Sequence, residues 1–127
     1  MKIGEKICRF TDLNAWKEAH KLTILIYKIT SKFPRSELYG LTSQLRRAAV
    51  SIESCLAEGF CRFHYKERLN FYYDGRGSVG EVQSELIDAK DLEFLLNDDF
   101  LKAYNLAEKV GVILGGLIRS TERLSSR

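Results

Sequence analysis

The sequence predicts an all-α protein, an antiparallel up-down-up-down four-helix bundle in one domain. Three observations carry that reading. Apolar and small residues recur at three- and four-residue steps through four successive long stretches. The breaks between the stretches are short and hold the chain's one proline, a glycine and an Asn-Asp-Asp cluster. No strand repeat, low-complexity segment or internal duplication interrupts them, and short connections make successive helices antiparallel neighbours.

The helices are expected at about 12–32, 37–59, 65–96 and 99–124. In the first, Asp12 is placed to cap Leu13, and Trp16, Ala19, Leu22, Ile26, Ile29 and Phe33 form the buried stripe. Pro34 cannot continue a helix, so Phe33-Pro34-Arg35-Ser36 reads as a tight connection, with Ser36 available as the next cap. The second helix organises the chain. Leu41, Leu45, Ala48, Ala49, Ile52, Leu56 and Gly59 share one face, the alanines admit a close neighbour, and Gly59 reads as a C-terminal stop. Phe60–His64 form the turn into the third helix, which Asn97-Asp98-Asp99 ends while capping the fourth. There Phe100, Ala103, Ala107, Val110, Leu114, Leu117, Thr121 and Leu124 follow a heptad-like seam. Leu25, Leu95, Leu106 and Ile113 fall off the chosen seams, which suggests apolar surface left for an interface.

Composition bounds function loosely. At 127 residues the chain makes one domain with a real core, and 20 cationic against 17 acidic residues leave a charge of +3, too mild to demand a nucleic-acid partner. The opening MKIGEKICRF lacks the apolar run of a secretory signal, and no stretch approaches the ~18 apolar residues of a membrane helix. Cys8, Cys55 and Cys61 form no CxxC pair, and with His20 and His64 they have neither the number nor the spacing for zinc. A reducing cytoplasm suits three free cysteines.

Asp12-Leu13-x-x-Trp16, Phe33-Pro34-x-x-Glu37-x-Tyr39-Gly40-Leu41, Gln44-Leu45-Arg46-Arg47-Ala48, Ser51-Ile52, Ala57-Glu58-Gly59 and Gly77-Ser78-x-x-Glu81 form a recurring pattern. In it the chain resembles the bacterial four-helix-bundle proteins encoded in intervening sequences of 23S rRNA genes. The resemblance runs from about Asp12 into the fourth helix. It implies a cytoplasmic bundle assembled as a ring-like homopentamer. A more distant similarity is to the accessory variability protein of diversity-generating retroelements, which binds a reverse transcriptase and nucleic acid. Two positions depart from the family pattern. Cys55 stands where the family usually has Asn in Ser-Asn-Ile/Leu-Ala-Glu-Gly, and Asp74-Gly75 replaces a small apolar residue, which is expected to loosen the third helix.

Gly75-Arg76-Gly77-Ser78-Val79-Gly80 matches the G-x-G-x-x-G of phosphate-binding turns, but that turn needs a βαβ unit that this pattern lacks. The glycines are placed instead inside the third helix, each costing about 1 kcal/mol relative to alanine unless close packing offsets it. A di-iron site needs Glu-x-x-His on two helices, and neither histidine follows a glutamate by three. No catalytic residue, metal ligand or cofactor-binding residue is assigned, and the chain reads as a non-enzyme. Glu58 and Arg62 at four-residue spacing suggest a structural ion pair, with Arg76 reaching Glu58 across the bundle.

Charge is uneven between the ends. Lys2, Lys6, Arg9, Arg62, Lys66, Arg68, Arg119, Arg123 and Arg127 outnumber Glu5, Asp12, Glu58, Glu67 and Glu122 at one end by four. At the other, Lys32, Arg35, Lys90 and Lys102 fall two short of Glu37, Asp88, Asp91, Glu93, Asp98 and Asp99. The basic end also carries Phe60, Phe63 and Tyr65. Cations for phosphate beside aromatic rings for stacking are what single-stranded RNA requires. Arg62, Lys66, Arg68, Arg119 and Arg123 are therefore the expected phosphate contacts, and Phe63 and Tyr65 the stacking residues. The alternative is an interaction scaffold or accessory subunit whose partner is another protein, with these rings closing the core and the cations solvated.

Overall fold

The computed structural model describes residues 7–127, and its elements among those residues are all helical. Helices α1 (Asn14–Thr30), α2 (Leu41–Phe60), α3 (Tyr65–Asp91) and α4 (Asn97–Ser125) are accompanied by 3₁₀ turns at Phe10–Asp12 and Arg35–Glu37.

The cross-helix contacts establish the topology. Along α2 and α3, Ser51 meets Ser78, Cys55 lies beside Gly75, and Gly59 lies against Phe71 and Tyr72. One partner's number rises as the other's falls, which is an antiparallel pair. The same holds for α3 and α4 through Gln83–Glu108, Gly111–Val79 and Tyr73–Glu122. His20–Glu53 and Thr30–Arg46 run α1 against α2, and Glu18–Lys109 and Lys32–Asp99 run α1 against α4. Each helix packs on its two neighbours in a square, an up-down-up-down bundle.

The apolar faces meet along the axis. Leu22, Ile26, Leu45, Ile52, Leu56, Val82, Leu86, Val110 and Leu114 are completely buried, and so is the ring of Tyr72 at 1 % exposure. All seven residues expected on the α2 face are buried, joined by Thr42. Ala19, Leu22, Ile26 and Ile29 of the α1 stripe are buried as expected, as is Phe33 just beyond the helix, and Ala15 joins them, whereas Trp16 is half-exposed and stacks on His20. Buried Glu18 faces the bundle edge, where Lys109 and Lys21 hold its carboxyl below the usual range through hydrogen bonds.

Several expectations about helix ends fail for local reasons. Asp12 does not cap α1. Its carboxylate accepts from the backbone N–H groups of Cys8 and Arg9 at 3.0 Å, and Leu13 is the N-cap. Those two bonds lower the Asp12 pKa. Helix α2 begins at Leu41, not 37, because the chain after Pro34 winds into a 3₁₀ turn first. Glu37, not Ser36, then caps α2 by accepting from the Leu41 amide at 3.2 Å.

Helix α3 stops at Asp91, five residues short of the expected end. Glu93 adopts φ 64°, and the Phe94 and Glu93 amides turn back to the carbonyls of Ala89 and Lys90 at 2.9 and 3.0 Å, a Schellman cap built without glycine. Phe94 then packs on Phe33, 6.0 Å between ring centres, tying the α3–α4 connection to the α1–α2 connection at one end. Leu96 is the N-cap of α4, so Asn97, Asp98 and Asp99 lie in its first turn, where acids suit the helix dipole.

The heptad seam on α4 holds through Leu114 and then slips. Ile118 and Thr121 are buried, while Leu117 is half-buried and Leu124 is 38 % exposed. A straight helix drifts against a strict seven-residue repeat, so a four-residue step restores the face. The expected surplus of apolar surface is also elsewhere: Leu95 is buried, and Leu25, Leu106 and Ile113 pack on the core.

Gly59 and the third-helix glycines separate into two kinds. Gly59 is no terminator, since α2 runs on through Phe60. A Cβ there would lie 2.7 Å from Tyr72 Cε1 and 3.0 Å from Phe71 Cβ, so the glycine lets α2 and α3 touch. Gly75 is likewise buried, between Cys55 of α2 and Leu114 of α4, and α3 passes through Asp74-Gly75 unbroken, contrary to the loosening expected. Gly77 and Gly80 have nothing within 4 Å and receive no packing in return for their helix cost.

Candidate nucleic-acid interface

Because neighbouring helices are antiparallel, the α2–α3 turn, the start of α3 and the end of α4 gather at one end. Helix α2 ends at Phe60, and residues 61–64 lie between it and α3. That short turn presents Arg62, Phe63, His64, Tyr65, Lys66 and Arg68 together. Arg68 organises it: Nε donates to the Arg62 carbonyl at 2.7 Å, and the guanidinium lies 5.2 Å from the Phe60 ring centre and 5.5 Å from that of Tyr65. Arg62 lies 4.8 Å over the Phe71 ring.

Phe63 is 87 % exposed, with only an edge contact to His64 at 5.1 Å, and Tyr65 is 40 % exposed. These two rings do not close the core. Phe60, half-buried beneath Arg68, does so in part. Beside them a groove of about 550 Å³ is lined by His64, Tyr65, Lys66 and Glu67 of the α3 start and by Leu124, Ser125 and Arg127 of the α4 end. Among the described residues no side chain caps the first turn of α3, and its leading N–H groups and the positive end of its dipole face the same end.

Arg119 and Arg123 are exposed on the last turns of α4, and no hydrogen bond or ion pair among the described residues joins them to the turn. Lys2, Glu5 and Lys6, counted toward this end from the sequence, lie outside the described residues.

The expected structural pair is not formed. Glu58 makes no ion pair among the described residues, since the helix ends before Arg62 and the i,i+4 register is lost. Arg76 is exposed and lies 5.4 Å from the ring centre of Tyr73, on the side of α3 that faces α4. Tyr73 itself donates to Glu122 at 2.9 Å, which raises its pKa. Cys55 is half-buried with Sγ 4.0 Å from Ser51 Oγ, and burial pushes its thiol up. It is a packing residue. Among the described residues no three His, Cys, Asp or Glu side chains gather to hold a metal, and no helix is long and apolar enough to cross a membrane.

Sequence reading missed one feature of the opposite end. Tyr39 is 93 % exposed beside Leu38, Tyr27, Arg46 and Arg47 on the α1–α2 side. The FPRSELYGL stretch was visible, but only folding reveals that its tyrosine points outward.

Fold and surface together define a small all-helical bundle protein whose distinguishing chemistry is a basic end studded with exposed aromatic rings. The family model described as 23S rRNA-intervening sequence protein matches residues 11–116, which hold the first three helices and most of the fourth, and the chain belongs to that family. No curated protein matches it.

Proposed function

We propose that the protein is a non-enzymatic, cytoplasmic bundle that assembles as a homo-oligomer, a pentamer, and binds single-stranded RNA or a ribonucleoprotein partner through its basic end. The observation that carries this reading is the α2–α3 turn. An 87 % exposed phenylalanine and a 40 % exposed tyrosine stand among Arg62, Lys66 and Arg68, where burying the rings would otherwise have been favourable. Bases stack on such rings with little regard to sequence, and the cations and free α3 amides suit phosphate.

One copy of this end carries seven described cations against four carboxylates, a weak attraction at physiological salt. Repeating it around a ring lets one strand engage several copies, which multiplies affinity without a new kind of contact. The test is titration of the oligomer with fluorescent single-stranded RNA at two salt concentrations. Binding should weaken with salt by roughly 0.7 log unit per tenfold change for each phosphate neutralised. Reversing Arg62, Lys66 and Arg68 to Glu should abolish it, while reversing Lys32, Arg35 and Lys102 should not, with melting curves checking that each variant folds. Equal loss from both triple variants would reduce the effect to general charge attraction. No binding at low salt would leave the protein scaffold as the function.

A further inference from the structure

Two surfaces near the other end of the bundle are unused by this reading. The first is a groove of about 460 Å³ between α1 and α2, lined by Tyr27, Leu38, Tyr39, Arg46, Arg47 and Val50. Arg46 is held in place there, 4.6 Å over the Tyr27 ring with Nε donating to Thr30 Oγ1 at 2.9 Å. Tyr39 projects almost fully into solvent, and Leu38 and Tyr27 are 48 % and 44 % exposed. The second surface is a row of carboxylates on the α2 side of α3. Glu81 and Glu85 line one groove against α2, and Asp88 and Asp91 line the next one along.

Neither surface is balanced within one chain. Arg46, Arg47 and all four carboxylates lack an ion pair among the described residues, though Arg47 stands on the crest of α2 between the two surfaces. Like charges one helical turn apart oppose one another. Glu85 shows the strain most clearly: its Oε1 is buried with no hydrogen-bond partner, and its carboxyl is pushed up to about 7 by burial and by the charges of Glu81 and Asp88. A monomer thus presents cations beside exposed tyrosines on one face and unpaired anions on the adjoining face.

We propose that the arginine–tyrosine groove of one copy receives the α3 carboxylate row of a second copy, in a head-to-tail contact. Charge complementarity selects this pairing, because either surface against itself would bring like charges together. Tyrosine and arginine are also the residues that most often anchor interfaces. The two surfaces share α2, so they lie about a quarter-turn apart around the bundle axis. Both surfaces lie at the same height along α2, so successive copies turn without climbing, the condition under which a head-to-tail contact closes into a ring. This rests on the assembly proposed above and names the faces that make it.

The experiment is light scattering on the full chain at micromolar concentration, with two charge-reversed variants. One carries Tyr39→Glu and Arg47→Glu, neither of which makes a hydrogen bond or ion pair among the described residues. The other carries Asp88→Lys and Asp91→Lys, in the last turn of α3 where lysine suits the helix dipole. Each alone should fall to the mass of a single chain while keeping the helical content of the wild type and a cooperative melt, at a lower temperature because assembly no longer stabilises the fold. Mixed in equal amounts they should regain mass above that of a single chain, as open or even-membered assemblies, since a reversed groove fits a reversed row but alternating copies cannot close a ring of five. Variants that keep the wild-type mass, or a mixture that stays monomeric, would overturn the proposed contact while leaving an oligomer to be explained by other faces. A monomeric wild type would overturn the assembly itself. Loss of RNA binding by the groove variant with its mass unchanged would assign the groove to nucleic acid and overturn the contact.

Discussion

Replacing glycine with alanine at positions 59, 75, 77 and 80 makes one chemical change at four helical positions, and the outcome depends on what each methyl would meet. In a helix interior the added methyl is worth about 1 kcal/mol in favour of folding. At Gly77 and Gly80 nothing stands within 4 Å of the new Cβ, so most of that gain should appear, about 0.5–1 kcal/mol at each. At Gly75 the nearest atoms are Cys55 Cβ at 3.4 Å and Leu114 Cδ2 at 3.6 Å, contacts at the close end of the ordinary range, so about 0.5 kcal/mol of the helix gain should remain. At Gly59 the methyl would meet Tyr72 Cε1 at 2.7 Å and Phe71 Cβ at 3.0 Å. Tyr72 is 1 % exposed and cannot swing aside, so helices α2 and α3 must separate. Overpacking of this kind costs about 1–3 kcal/mol. Gly59 lies in the last turn of α2, where little of the helix gain applies, so most of that cost should remain and Gly59→Ala should be destabilising by about 1–2 kcal/mol. Urea unfolding and thermal melting of the four variants measure the series, with about 3–5 °C expected per kcal/mol for a domain of this size. A Gly59→Ala protein as stable as the wild type would refute the claim that this glycine exists for helix contact. Destabilisation at Gly77 or Gly80 would show that the outer face of α3 is covered in solution.

Glu93→Gly should stabilise the fold by about 0.5–1 kcal/mol, because only glycine takes φ 64° without steric cost and no hydrogen bond or ion pair among the described residues holds the Glu93 side chain; chemical denaturation reads this directly. Glu85 has a folded pKa of about 7, above its ordinary 4.5, so its contribution to stability is full below pH 4.5 and is lost as pH rises through 7. That shift corresponds to about 3 kcal/mol unscreened, and partial solvent access reduces it to about 1–2 kcal/mol. At concentrations low enough to hold single chains, Glu85→Gln should therefore flatten the decline in melting temperature between pH 5 and pH 8, and an unchanged slope there would refute the assignment. Ala49→Leu, at a fully buried position facing the bundle axis, should cost about 1–3 kcal/mol in denaturant unfolding.

The sequence by itself determined the number of helices, their antiparallel order and the buried face of α2, because a 3.6-residue apolar period and short connections are local properties written in the chain. It also located the Arg62–Arg68 turn, since charge and aromatic content can be read without coordinates. What it did not decide was where pieces meet. Gly59 looks like a stop in sequence, and its role in the contact with Tyr72 depends on a residue thirteen positions away. Helix α3 ends at Asp91 because Glu93 takes a left-handed conformation that ordinary propensity disfavours, fixed by hydrogen bonds to Ala89 and Lys90 and by Phe94 packing on Phe33. The ion pair expected from Glu58 and Arg62 failed because the helix ended between them. The exposed Tyr39 and the unpaired Glu85 became visible only when folding set α1 beside α2 and α2 beside α3. Period and charge are additive along a chain, whereas close approach, burial and pairing depend on the positions of two segments at once.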